Sequence, residues 1–464
     1  MFAGGSTYSG LAAAGGTGSN SNASGNAGSR DASGNSGSSS GGAASSGAFA
    51  NAMAEANDLD ALVFEFGTAK CKFGFAGEDA PRVYESPLDL EKVPYDRRRA
   101  ACMESDYEAI AQWLFDAAGS RLQTRLSDHP LLLVERPFAI PDEYLQAASS
   151  TTGDNEKKNA EEKETTATPS SGSKKRDFKS RERMVEVLME TMDLPALFCA
   201  KSAVLACYAN ARTSGLVVEM GATYSSVTSV HDGYAFAAKL APQLAGVEPA
   251  SPFPSRFYWS LATEAKESGL CRVADGPFDE LQNAQLPKIG YELPDKTIVQ
   301  LGTERFSVGE QFFPQNGSTA GTGTGTEIPF ENTEVAVQYG VKPALALPEF
   351  ICETGAMTTE AELRKELFQN IVLTGGSSCF ENLPTRLERE VIVALSSHPG
   401  LAGTGTIGFG STRVKLVAAH AQERRLGSFL GGSILASLGS FHEMWLSKAE
   451  YAEHGAALIH KKCP

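Results

Sequence analysis

An internal echo constrains this chain more than any other feature. The octet LVFEFGTA begins at residue 62 and LVVEMGAT at residue 216, 154 residues further on. Each is a short apolar run of the kind that fills a buried strand, followed by Glu, one residue, Gly and then small residues or Thr. A strand-and-turn unit that recurs at long range points to a duplicated domain, but the pattern alone leaves duplication and an accidental match both open. A third run, NIVLTGGSS at 370–378, ends in a Gly pair. Between these, LLLVERP (131–137), RERMVEVLMETM (181–192) and AKSAVLACYANA (200–211) alternate short apolar runs with helical segments, the pattern of α/β lobes. A chain of 464 residues is long enough for two lobes with their own cores.

The rest of the chain is punctuated by stretches that lack a hydrophobic period. Of the first 50 residues 37 are Gly, Ser or Ala, so residues 1–57 are expected to be a disordered tail, with too little apolar area to offset the entropy of ordering. A polar, charged insertion is expected at 150–180, interrupting a domain that continues on both sides, and a Gly/Thr-rich one at 314–334. A shorter soft stretch lies near residue 400. Folds tolerate such insertions because the cost of closing a loop grows slowly with its length.

Charge and cysteine usage narrow the functional classes. With 41 Lys and Arg against 56 Asp and Glu, the formal charge is -15, so strong direct DNA binding through a phosphate-coating surface is not expected. The eight cysteines are scattered without CxxC pairs or a Cys/His cluster, and the seven histidines show no ligand spacing. Neither a zinc site nor a disulfide framework is indicated, and a reducing compartment fits best. No stretch of about 18 apolar residues occurs, so neither secretion nor a membrane span is expected.

The two echoed turns suggest a chemistry. A strand that turns back through Gly and Thr presents backbone N–H groups and a hydroxyl toward one point, and such nests bind phosphate. Glu65 and Glu219 stand at the start of the two turns. Two carboxylates facing each other across a cleft can hold Mg²⁺ through its water shell while backbone amides hold the phosphate oxygens. That combination describes a nucleotide cleft. The alternative is a pair of plain hairpins, each with a Gly supplying positive φ and a solvated Glu.

Longer motifs resolve the choice by resemblance. CKFGFAGEDAPR (71–82), HPLLLVERP (129–137), ARTSGLVVEMGATYSSVTSVHDGYA (211–235), YELPDKTIVQLGTERF (291–306), NIVLTGGSSCFENLPTRLEREV (370–391) and FLGGSILASLGSFHEMWLSKAEYAEHGAALIHKKCP (429–464) resemble actin, in actin's order, over most of 58–464. The GAT of the second turn, VHDGYA after it, the ANARTSG approach and the terminal KKCP are most similar to the nuclear actin-related proteins of chromatin-remodelling and histone-acetyltransferase complexes. The resemblance implies an α/β, duplicated fold of the actin/Hsp70/sugar-kinase type, with two lobes around an ATP cleft. Residues 247–313 would form the small subdomain of the second lobe.

By the same resemblance ATP would be held by Gly67, Thr68 and Lys72 in the first lobe and by Gly221, Ala222 and Thr223 in the second. Gly375, Gly376 and Ser377 would pass the nucleotide, Phe380 would lie near the adenine, and Arg425 would line the base. Glu65 and Glu219 would meet Mg²⁺ through water. Simple packing of Phe380 and a solvated Arg425 are the alternatives.

Departures from the actin pattern shape the functional expectation. Both loop carboxylates are Glu where actin has Asp, Ala69 replaces a loop Gly, and Met220 replaces a loop Ser. Ser202 and Ser226 stand where actin has a Gln and a His that place the attacking water, so hydrolysis should be very slow. Only about 16 residues separate Glu85 from Met103, where actin carries the small subdomain that grips the next subunit. The chain is therefore not expected to form filaments.

The expectation is a nuclear, non-catalytic subunit that binds ATP. Its partners would be actin and a long helix of a remodeller ATPase or acetyltransferase scaffold, with histones as a further candidate. That helix would lie in a groove lined by residues 429–438 and 443–446. The basic run KKRDFKSRER (174–183) would suit an import receptor. The rival readings are an enzyme, either an actin-type ATPase or a kinase on the same fold, and a divergent cytoskeletal relative in the cytoplasm.

Overall fold

The apolar runs become strands, and their order repeats. In a computed structural model of the chain, described for residues 60–67, 69–85, 107–136, 181–222, 224–242, 261, 264–277, 286–310, 312–313, 346–398, 401 and 414–463, the first sheet begins with β1 (Leu62–Glu65), β2 (Cys71–Phe75) and β3 (Val83–Glu85). These form an antiparallel meander, and β4 (Leu131–Glu135) and β5 (Ala196–Lys201) extend the sheet in parallel on the other side of β1. The second sheet repeats the plan. There β6 (Gly215–Met220), β7 (Tyr224–His231) and β8 (Tyr234–Pro242) form the meander, and the later strands β11 (Ile371–Thr374) and β12 (Leu416–Val417) extend it in parallel from β6. Between them in sequence, β9 (Ile289–Glu292) and β10 (Ile298–Leu301) make a separate two-stranded hairpin, and β13 (Leu446–Ser447) closes the first sheet beside β5.

The echo is thus a structural repeat. The two octets begin equivalent central strands, and each hairpin pairs its glutamate with the residue seven positions later, Glu65 with Lys72 and Glu219 with Ser226. Strands paired on both sides and covered on both faces read as continuous apolar runs rather than alternating ones. That is why LLLV in β4 and IVLT in β11 are buried throughout.

Helices α1 (Tyr107–Ala117), α2 (Ser202–Ala209), α3 (Glu304–Glu310), α4 (Leu347–Ala356), α5 (Ala361–Gln369), α6 (Leu383–Ser397), α7 (Ala421–Ala436) and α8 (Lys448–His454) surround the sheets. Two of them join the lobes. α2 is apolar all round because it is buried on both sides: Leu205 belongs to the core of the first lobe, while Ala203, Val204, Ala206 and Cys207 pack on Val217, Val230 and Val372 of the second sheet. α7 crosses α2 through glycine. A Cβ on Gly431 would stand 1.8 Å from the carbonyl oxygen of Leu205, and one on Gly432 would meet Val63 and Leu132 of the first sheet. One turn earlier, a Cβ on Gly427 would meet Thr374 of the second sheet. Only a helix without side chains at these positions can lie this close to both lobes.

The C-terminal segments return to the first lobe, where Phe441 and Trp445 pack edge-on with each other and against Phe198 of β5. In the second lobe, the described part of 247–313 is fastened by Arg386 of α6. Its buried guanidinium pairs with Glu310 at 2.9 Å, donates to the carbonyl of Ala274 and lies over the ring of Phe313. The tail 1–57, the insertions 150–180 and 314–334, the segment 86–102 and the loop threonines Thr68 and Thr223 lie outside the described residues.

Candidate functional site

The two repeated hairpins bring Glu65 near enough for its charge to be felt at Glu219. In the first lobe Lys72 stands opposite Glu65 in the β1–β2 register, and its ammonium is ion-paired with Glu65 Oε1. Both side chains are largely buried, and Glu65 Oε2 has no hydrogen-bond partner. The turn between them is tight enough that a Cβ on Gly67 would lie 2.4 Å from the carbonyl oxygen of Lys70.

In the second lobe Ser226 takes the position that Lys72 holds in the first, and its hydroxyl donates to Glu219 Oε2 at 3.3 Å. Ser202, which follows β5 of the first sheet, also acts on Glu219, its hydroxyl favouring the charged carboxylate. Burial pushes the Glu219 carboxyl up to about 7, and the charge of Glu65 adds to the rise. The two serine hydroxyls and Lys72 oppose it without cancelling it. Sequence reasoning named Ser202 and Ser226 for the groups they replace and missed that both act on Glu219. The signal was present for Ser226, because the seven-residue span from Glu65 to Lys72 recurs from Glu219 to Ser226.

The Gly pair after β11 closes against the second turn. Gly375 has φ +95°, and a Cβ there would meet the backbone of Met220 at 2.4–2.8 Å, so both conformation and space require glycine. Ser377 donates to the carbonyl of Gly221 at 2.8 Å, which joins the two glycine turns. Gly376 differs, since a Cβ there would meet nothing within 4 Å. Ala222 is exposed beside it in the second turn.

The two base-lining candidates separate. Phe380 is buried in the core of the second lobe, its ring 6.1 Å from that of Phe312. Arg425, in the first turn of α7, instead sits among Tyr84 of β3, Cys379 and Glu267. Burial disfavours its charge, but these three groups outweigh burial and raise the guanidinium above its ordinary range. The phenol of Tyr84 is held up chiefly by burial. Tyr84, Cys379 and Glu267 were not singled out in the sequence, because residues from β3, the turn after β11 and the segment 264–277 meet only through long-range folding.

Chemically, this arrangement suits a phosphate chain. The Gly375–Ser377 turn closes on the Gly221 turn, open space lies over Gly376, and Lys72 is a buried cation paired with Glu65. Toward a divalent metal the carboxylates are unevenly placed: Glu65 Oε1 is paired with Lys72 while its buried Oε2 has no hydrogen-bond partner, and Glu219 Oε2 accepts from Ser226. Among the described residues no three His, Cys, Asp or Glu side chains cluster as a metal site, and no helix is long and apolar enough to cross a membrane.

A duplicated, two-lobed α/β fold with facing strand-turn hairpins is the architecture of the actin class. The actin family model matches residues 166–248 and 255–464, and the chain belongs to the actin family. It is similar to actin-related protein 4 of Oryza sativa subsp. indica and subsp. japonica, 29% identical over 506 residues, covering 89% of this chain and all of each relative. Actin-related protein 4 of Arabidopsis thaliana is 28% identical over 502 residues, with the same coverage.

Proposed function

We propose that the chain is a nuclear, non-catalytic subunit of a chromatin-remodelling or histone-acetyltransferase complex. It docks beside actin on a long helix of a remodeller ATPase or acetyltransferase scaffold, and it holds ATP with little or no hydrolysis. Exposed apolar side chains at the ends of α7 and of the β7–β8 hairpin carry this reading. Ile434 and Leu438 from the end of α7, Met444 from the turn after it, and Tyr234 from the β7–β8 turn are 47%, 48%, 49% and 62% exposed. Gly233, beside Tyr234, lies against the phenol of Tyr208 at the end of α2, the helix that α7 crosses. Exposed apolar side chains at neighbouring ends of packed elements suit the apolar face of an amphipathic helix.

The groove expected from 429–438 and 443–446 is narrower in the folded chain. Phe429, Gly431, Gly432 and Ala436 are buried, as are Trp445 and Leu446, so only the outward edge of each segment is left for a partner.

The non-catalytic part of the reading rests on the two serines. Ser226 donates its hydroxyl to Glu219, and neither serine is an imidazole or amide that would orient a water for attack. The test is a tagged pull-down from nuclear extract with mass spectrometry after a moderate-salt wash. Stoichiometric actin with a remodeller ATPase or acetyltransferase scaffold is the expected result. Recovery of cytoskeletal partners, or pelleting under actin-polymerising conditions, would favour a divergent cytoskeletal protein instead. Replacing Ile434 and Leu438 with Asp is expected to release the scaffold without unfolding the chain, since both side chains face solvent.

A further inference from the structure

We infer that the partner helix is basic beside its apolar face, and that its Lys and Arg side chains enter an acidic cleft between His231 and α5. The inference rests on reading the exposed apolar edge as a helix-docking site and goes on to say which chemistry the helix must carry.

The β7–β8 hairpin joins the edge to the cleft. His231 faces Tyr234 in the register, and residues directly opposite in an antiparallel pair put their side chains on one face of the sheet. Tyr234 is 62% exposed and belongs to the apolar edge. His231 lines an open cleft of about 500 Å³ together with Glu360, Glu362, Lys365, Glu366 and Gln369, from α5 and the residue before it. A helix resting on Tyr234 therefore has the cleft at its flank, one residue pair away, and a long Lys or Arg side chain spans such a step.

The charge in the cleft is unbalanced. Three carboxylates stand against the one ammonium of Lys365, and among the described residues none of the three makes a hydrogen bond or an ion pair. Acidic residues at the start of a helix are ordinary, because the macrodipole favours them there, and that accounts for Glu360 and Glu362. It does not account for Glu366, four residues beyond Glu362 on the same side of α5, where like charges repel. The basic groups close by are engaged elsewhere. Arg364 donates to the carbonyl of Thr359, and His231 has Ser214 Oγ 3.3 Å from Nδ1 and an Asp232 carboxylate oxygen 3.6 Å from Nε2. Cations brought by a partner would relieve the repulsion without breaking an existing pair.

The cleft suits a basic peptide better than a metal ion or a nucleic acid. Its carboxylates share one cleft, yet among the described residues no three His, Cys, Asp or Glu side chains are grouped closely enough to hold one ion. A phosphate backbone would be repelled. Separate cationic side chains along one helix fit that spread, and such pairs chiefly set specificity and on-rate.

The experiment is fluorescence anisotropy of two designed amphipathic helical peptides of about 20 residues, titrated with the full chain at roughly 50 and 200 mM NaCl. Both carry the same leucine face, flanked by lysines in one and by glutamines in the other. The lysine peptide is expected to bind about tenfold tighter at low salt and to lose most of that advantage at high salt. Glu360→Gln, Glu362→Gln and Glu366→Gln together remove charge without changing shape at side chains that are not buried. This triple variant is expected to bind both peptides within about threefold of each other, with the glutamine peptide unchanged. The chain carries a formal charge of -15, so a general attraction would survive the loss of three charges. Equal binding of the two peptides to the parent, or a lysine advantage that persists in the triple variant, would overturn the inference and leave the docking reading standing. Binding of neither peptide, or binding indifferent to Ile434→Asp with Leu438→Asp, would overturn the docking reading and the inference with it. A parent that sediments as a dimer while the triple variant is a monomer would assign the cleft to a second copy and also overturn the inference.

Discussion

Glu219 shows how one side chain ties the chemistry of the cleft to the stability of the fold. Its carboxyl is pushed up to about 7 in the folded chain, first by burial and then by Glu65, against an ordinary value of 4.5. A carboxyl raised on folding is most favourable when protonated, so its contribution is fully present below pH 4.5 and is lost as pH rises through 7. A shift of this size corresponds to about 3 kcal/mol. In buffer free of nucleotide and divalent ions, Glu219→Gln should therefore melt close to the parent at pH 5 and clearly above it at pH 8. Parallel melting profiles of parent and variant from pH 5 to 8 would contradict this account. At this scale the sequence was legible where the hairpin repeat supplies a ruler. Glu65, Lys72 and Glu219 could be placed from spacing and resemblance, while the effect of Ser202 on Glu219 could not, because it joins residues of two sheets that meet only after folding. Phe380 and Arg425 look alike as motif residues, and only packing separates the buried ring from the guanidinium among Tyr84, Cys379 and Glu267.

At the scale of elements, the crossing of α7 over α2 decides whether the two halves can share a helix at all. The run LGGSILA at the end of α7 carries two costly glycines, since each lowers helix propensity by about 1 kcal/mol relative to Ala. The fold explains that cost through Gly431, where a Cβ would enter the backbone of Leu205. Backbone cannot swing aside as a side-chain tip can, and overpacking of this kind costs about 1–3 kcal/mol or more. Gly431→Ala is therefore expected to be destabilising by about 2 kcal/mol despite its better propensity, whereas Gly439→Ala, which meets nothing within 4 Å, should melt within a degree or two of the parent. Thermal melting of the two variants side by side checks this, and equal melting would remove the crossing from the account. The central strands β1, β4, β6 and β11 were readable as apolar runs and α2 as a helical segment, while α7 was named only as a lining of a groove. Sheet order was not readable, because β11 joins β6 from 155 positions away (371 against 216) and no local signal announces such a pairing.

Among the described residues the two larger sheets are joined by α2 buried between them and by α7 across both, with the charges of Glu65 and Lys72 felt at Glu219. A ligand bound between the glycine turns adds a bridge that the unfolded chain cannot make, and it therefore stabilises by mass action. At a concentration of ATP about 100 times its Kd this amounts to roughly 2.7 kcal/mol, which for a chain of this size should raise the melting temperature by a few degrees. The same bridge should leave the nucleotide intact, because the water-placing positions carry serines and the Ser226 hydroxyl is engaged by Glu219. The expected outcome is a higher melting temperature with ATP, together with no single-turnover phosphate release above the background of buffer over hours. Stabilisation accompanied by release at a rate comparable to polymerised actin would make the protein an ATPase and would end the reading of it as a purely structural subunit. Release without stabilisation would place the chemistry outside this cleft. Stabilisation alone fits a protein whose two lobes use the nucleotide as a fastener, keeping the apolar edge formed by Tyr234, Ile434, Leu438 and Met444 in one shape for a partner helix.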